Sequence, residues 1–341
     1  MAGPAEVHWL LWLLLPVAAA SGWWAAVLNQ KKKLNARSRL NSAYGQGLNH
    51  LLNEEPDKAT EVLVRMVEVD PETVELHLAL GSLFRRRGEV DRAIRIHQNI
   101  IARSKLSSQL RSQATLELGR DFLRAGLLDR AEELFRNLLG RGEHTTEASE
   151  HLVDLYQQQQ EWQLAIEAAQ YLLRVDPLVW KQRIALYYCE LAEVSMQEVN
   201  SDRAVQQVQQ AIESFPDCVR ATLLKGRLLQ QNGDFEAAIQ TYKLVEQQEP
   251  GLLTETLDAL RFCYRKLGED AAGEKYIKEL GQRYRVLIKT DDHKTRTQSG
   301  RLQEQPERYC CLACGFKSRK LFWKCPGCGQ WSSVKPIQIN G

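Results

Sequence analysis

Apolar positions in the middle of the chain recur at helical rather than strand spacing, and the recurrence has a longer period of its own. An alanine returns at Ala59, Ala93, Ala131, Ala165, Ala204, Ala238 and Ala272, at intervals of 34, 38, 34, 39, 34 and 34 residues. Twelve residues before these stand Gly47, Gly81, Gly119, Val153, Ala192, Gly226 and Leu260, mostly small and suited to close approach of two helices. Four residues after them stand Leu63, His97, Phe135, Ala169, Val208, Tyr242 and Tyr276, one helical turn on and on the same face. Pro71, Pro177, Pro216 and Pro250 each follow an alanine by twelve residues and end the second helix of their unit. Gly88-Glu89, Gly126 and Asn232-Gly233-Asp234 supply the turns between paired helices.

Each unit is therefore a helix–turn–helix pair of the kind that resembles the tetratricopeptide repeat. Seven such pairs over residues 40–285 predict an all-α superhelix in which each pair buries its apolar face against its neighbours. A stack of this kind presents a concave groove for an extended peptide or helix. The two longer intervals place four or five extra residues at Ser104–Ser108 and near Leu178–Lys181, predicted as loops.

The N-terminal pattern is different. After a short segment, residues 1–8, the twenty residues from Trp9 to Leu28 carry no formal charge, enough for a helix to span about 30 Å of hydrocarbon. Lys31, Lys32, Lys33, Arg37 and Arg39 follow this run in residues 29–39 and no Lys or Arg precedes it. The positive-inside rule then places everything C-terminal to the span in the cytoplasm. Ala18-Ala19-Ala20 could serve as a signal-peptide cleavage site, but the missing basic residues before the run favour an uncleaved anchor. Trp9, Trp12, Trp23 and Trp24 suit the two membrane interfaces, and Pro16 can kink the span.

Composition narrows the function. The 45 basic and 43 acidic residues nearly cancel, so no global field draws the chain to nucleic acid. Patterns for nucleotide binding, zinc proteolysis or serine hydrolysis are absent from the sequence, and no enzymatic role is expected. His97 occupies a core-facing repeat position, and His77, His144 and His151 read as packed or solvated side chains. Arg85, Arg86 and Arg87 close a first helix, where positive charge complements the helix dipole. Four of the eight cysteines fall outside any pair spacing: Cys189, Cys218 and Cys263 read as small buried helix residues and Cys310 as a spare thiol.

The remaining four carry the chemistry. After a polar linker, residues 286–308, comes a domain at 309–341 with Cys311, Cys314, Cys325 and Cys328 in a C-x2-C-x10-C-x2-C pattern. Two thiolates three apart on a tight turn face one ion, because turn N–H groups point at the sulfurs and a following glycine supplies positive φ. Gly315 and Gly329 stand at those places. Four thiolates suit zinc or a single iron, and they leave no coordination position for a reactive water. The site's first task is folding, since a segment this short cannot bury enough surface alone. Phe316, Leu321, Phe322, Trp323 and Trp331 are expected to pack around the ion, with an exposed subset free to dock on the helical stack.

The order of anchor, repeats and rubredoxin-like cysteine knuckles resembles the lipopolysaccharide assembly protein B family. The likeness is carried by Leu13–Ala20 in the anchor, Leu80–Gln98 in the second repeat and Tyr309–Ile337 in the tail. It implies a bacterial inner-membrane adaptor, single-pass, with repeats and metal domain on the cytoplasmic side. Its implied partners are the membrane-bound ATP-dependent protease FtsH, the lipid A deacetylase LpxC, and other lipopolysaccharide synthesis and transport proteins. It implies iron at the four cysteines, with zinc as the alternative that their chemistry leaves open. It also implies that the anchor contacts the protease while repeats and metal domain contact the substrate. Other roles that the same features permit are a scaffold for assembly enzymes without proteolytic control, and a redox or electron-transfer protein. One departure from the family is that a short linker replaces further helical pairs between Glu279 and the cysteines.

Overall fold

The computed structural model describes residues 23–24, 73–284 and 307–337. The expected anchor other than Trp23 and Trp24, the basic segment 29–39, the first repeat, and the linker other than its last two residues lie outside the described residues. Among the described residues no helix is long and apolar enough to cross a membrane. The chain divides into two compact units at Ala148 and Ser149.

The first unit holds helices α1 (Val74–Arg86), α2 (Val90–Ile101), α3 (Ser108–Arg124) and α4 (Leu128–Arg141). Two of its turns depend on glycine: Gly88 and Gly126 sit at φ 83° and 75°, where a side chain would strain the backbone. The loop expected at Ser104–Ser108 is present as far as Ser107, whose hydroxyl accepts from Leu110 N to start α3 at Ser108. The spacing rule is now visible as packing. Ala93 and Ala131 are fully buried, and a Cβ on Gly81 or Gly119 would lie 2.5 or 2.6 Å from the His97 or Phe135 ring. Glycine is required there because the ring fills the space a methyl group would take.

His97 is packed in the core as read, but Arg85 departs from the expectation. Arg85 does not merely complement a helix end: it reaches across to α3, 2.7 Å from Asp121 and 2.6 Å from Glu117. His97 Nδ1 lies 2.5 Å from the other oxygen of Asp121, with both side chains fully buried. Burial alone would raise the Glu117 carboxyl, but hydrogen bonds and charge from Arg85, with Arg120 and Ser82, hold it below its ordinary value. A charged network thus joins the apolar contact of Leu78 and Ile100 with Ala114 between successive pairs.

Helix α5 (Thr145–Gln159) leads into the second unit, which continues with α6 (Trp162–Leu172), α7 (Pro177–Gln197), α8 (Ser201–Ser214) and α9 (Val219–Gln231). It goes on through α10 (Phe235–Lys243), the short α11 (Val245–Gln248), α12 (Thr254–Lys266) and α13 (Asp270–Arg283). Ala165, Ala204 and Ala238 are fully buried, as the period requires. Two expectations need correction. Leu178–Lys181 form no loop; they are the first turn of α7, because Pro177 fits the first helical position and Asp176 caps Val179 N at 3.1 Å. In the last pair Ala272 is exposed and Gly273 takes the buried place. There the small and large partners have changed helices, since a Cβ on Gly273 would lie 2.8 Å from Tyr264 of α12.

The tail forms a three-stranded antiparallel sheet ordered β2-β1-β3, from β1 (Tyr309–Cys311), β2 (Lys317–Ser318) and β3 (Val334–Pro336). Tyr309 pairs with both Ser318 and Pro336, which sets the register and brings the two cysteine turns to one end. One apolar cluster joins Tyr309, Cys311, Cys325 and Val334 of the tail to Val219, Val245 and Leu252 of the repeats.

Candidate metal centre

Each cysteine pair closes a turn of the same construction. Gly315 N donates to Cys311 O at 2.9 Å and Cys311 N to Phe316 O at 2.8 Å. In the second turn Gly329 N donates to Cys325 O at 2.8 Å and Cys325 N to Gln330 O at 2.9 Å. Gly315 and Gly329 take φ 76° and 72°, the left-handed conformation that reverses the chain and leaves N–H groups facing sulfur. The N–H groups of Ala313 and Cys314 bond Cys311, that of Phe316 bonds Cys314, and that of Gln330 bonds Cys328.

The four sulfurs lie within 4.8 Å of one another. Cys311 Sγ to Cys328 Sγ and Cys314 Sγ to Cys325 Sγ are each 3.7 Å. A tetrahedron of thiolates about 2.3 Å from an ion has edges of about 3.8 Å, so the residues present fit such a group. Cys311 and Cys325 are buried and Cys314 and Cys328 exposed, so each turn offers one inner and one outer sulfur. Ser333, together with backbone N–H groups, holds the Cys311 thiol down to about 6. The Phe316 N–H lowers Cys314, but burial and the neighbouring thiols outweigh it and push Cys314 up to about 12. Without a cation the cluster resists full ionisation; a dication at its centre reverses that preference.

The aromatic residues divide between two tasks. Phe316 and Phe322 pack edge to face within the tail, with ring centroids 6.3 Å apart. Trp331 instead leaves the tail and enters the helical stack. Its Nε1 donates to Gln157 Oε1 at 2.7 Å, and its ring meets Trp162 and Tyr187 edge-on at 6.0 and 5.7 Å. Trp323 lies under the Arg220 guanidinium at 5.8 Å, and Arg220 is itself paired with Glu190 and Glu193. The Tyr309 hydroxyl donates to Glu255 and Lys335 pairs with Glu249. Sequence reasoning missed Gln157, Trp162, Tyr187, Arg220, Glu249 and Glu255, whose only signal was being polar or aromatic on the second unit's helices. Cys189, Cys218 and Cys263 are buried as expected, and Cys310 is half-buried.

Comparison with known proteins agrees with both parts. Residues 309–336 match the rubredoxin metal binding domain, and residues 76–108, 116–179 and 190–252 match the tetratricopeptide repeat. Lipopolysaccharide assembly protein B of Escherichia coli K12 is 35% identical over 381 residues, covering 96% of this chain and 98% of that protein. The chain belongs to the lipopolysaccharide assembly protein B family. The Haemophilus influenzae member is 31% identical over 395 residues, again with 96% and 98% covered. Both alignments are longer than the 341-residue chain, so these family members carry residues that have no counterpart here. Among solved structures, a tetratricopeptide repeat protein from Parabacteroides merdae is 17% identical, with 73% of this chain and 96% of that chain covered and a TM-score of 0.39.

Proposed function

We propose that this family member is a membrane-tethered adaptor in lipopolysaccharide synthesis, which presents the deacetylase LpxC to the protease FtsH. The observation that carries the reading is kinship over nearly the full length of both chains with proteins named for lipopolysaccharide assembly. The division of labour follows from the chain's own residues. Trp9–Leu28 is the tether in the inner membrane, and the basic residues behind it keep repeats and tail on the cytoplasmic side. Helix pairs supply a partner surface, and the tail adds to it where Trp331 and Trp323 pack on the second unit.

In this reading Cys311, Cys314, Cys325 and Cys328 ligate one ion, iron or zinc. The ion supplies folding free energy to the tail and fixes the angle at which Trp331 meets α5, α6 and α7. Four protein ligands close the coordination sphere, which favours a structural role over Lewis-acid catalysis. Depleting the protein is expected to raise deacetylase abundance by slowing its turnover. Unchanged turnover, with assembly enzymes still recovered on the chain and the protease absent, would instead support the scaffold role.

A further inference from the structure

Where the tail meets the repeats it leaves a cleft of about 730 Å³, walled by α9 and α12 on one side and by the tail on the other. Its charged residues are not equally available. Glu193 is 3.0 Å from Arg220, Glu255 accepts the Tyr309 hydroxyl, and Asp258 lies 3.4 Å from Arg261. Arg227 on α9 and Arg319 and Lys320 on the tail are exposed, and among the described residues no ion pair engages any of the three. Glu193 and Glu255 are held by partners within the protein and Asp258, with its side chain 86% exposed, pairs only loosely with Arg261, while three cations converge on the cleft with no ion pair of their own among the described residues. Between them Leu223, Leu321 and Phe262 offer apolar surface, with Phe262 39% exposed.

We propose that this cleft binds an extended acidic peptide segment carrying one large apolar side chain, gripped by Arg227 on the repeats and by Arg319 and Lys320 on the tail. Charge complementarity selects the occupant: free cations at both walls suit carboxylates spaced along an extended chain. Polyphosphate is disfavoured because it has no apolar group to cover Leu223, Leu321 and Phe262. The cleft exists only while the tail is seated, so the metal centre would govern it through Trp331 and Trp323. The proposal rests on the adaptor reading and names the chemistry of the segment recognised.

The test uses the full chain in detergent micelles and a fluorescein-labelled peptide of about ten residues, with glutamates around a single leucine, followed by anisotropy. The glutamate peptide is expected to bind, more weakly as salt rises, and its glutamine counterpart about tenfold more weakly. Arg227→Glu, and Arg319→Glu with Lys320→Glu, should each lower affinity about tenfold, whereas Arg227→Lys should retain most of it. All these positions are exposed, and metal content with far-UV dichroism verifies that the variants fold. Absence of binding, equal binding of the glutamine peptide, indifference to the charge reversals, or tighter binding of a short oligonucleotide would each overturn the proposal. Cells relying on the Arg319→Glu, Lys320→Glu variant separate the two claims. Deacetylase kept low there refutes the cleft and leaves the adaptor standing, whereas a deacetylase level indifferent to depletion of the whole protein refutes the adaptor.

Discussion

The helical repeats and the metal knuckle achieve order in opposite ways. In the repeats, order is spread over many small-against-large contacts, such as Gly81 on His97, Gly119 on Phe135 and Gly226 on Tyr242, each replaceable in principle by another pair of matching size. The last pair does replace it, with Gly273 on α13 and Tyr264 on α12. In the knuckle, order is concentrated in four sulfurs that cannot be exchanged for anything of similar volume. Distributed packing tolerates local change and fails gradually; a concentrated site fails as a whole.

The largest effect should come from breaking the concentrated side. Cys311→Ser or Cys325→Ser removes a buried sulfur, and the tail is expected to lose its metal and its fold while the helix content of the repeats stays unchanged. Metal analysis beside far-UV dichroism checks this, and a loss of helix content would erase the contrast.

Next is a place where the repeats also concentrate their stability. Asp121→Ala leaves the buried His97 without its carboxylate partner and the half-buried Arg85 with Glu117 alone, at a cost of about 3–5 kcal/mol in a thermal or denaturant melt. Acid should loosen the same region. Because Arg85 holds the Glu117 carboxyl below its ordinary value, that pairing stabilises the fold at neutral pH. Its contribution is lost as pH falls through and below the ordinary carboxylate range.

A smaller loss, about 2–3 kcal/mol, is expected when Trp331→Ala unseats the tail from Gln157, Trp162 and Tyr187. Metal content should be retained, since no sulfur is touched, and limited proteolysis should find the tail more accessible. The smallest effects sharpen the comparison within the repeats. Ala238→Leu should cost about 1–3 kcal/mol by overfilling a fully buried site, and Ala272→Leu should stay within about 0.5 kcal/mol because that alanine is exposed.

How much of this was legible in the sequence follows from the range of the interactions. A 34-residue period is local and repeated, so helix pairs and their buried alanines could be read from Ala93 to Ala238. The cysteine turns were legible for the same reason, since pair spacing and glycine lie within five residues of one another. Where one residue's shift moves a helix face, as at Gly273, the period misleads, because alanine and glycine both satisfy a rule that asks only for smallness. Pro177 was read as ending the second helix of its unit, but α6 already ends at Leu172 and the proline opens α7, where it is favourable at the first position. Docking of some tail aromatics on the stack was an open reading, but which residues meet was out of reach. Trp331 and Gln157 are 174 residues apart, and nothing in either segment points to the other.

Hydrogen exchange of the full chain, with metal bound and after chelation, tests the central claim that the ion keeps a docking surface seated on the repeats. Chelation is expected to deprotect the tail and, with it, the parts of α5, α6 and α7 around Gln157, Trp162 and Tyr187, leaving α1 to α4 unchanged. A tail that keeps its protection without metal, or helices α5 to α7 that are indifferent to the tail's unfolding, would contradict it.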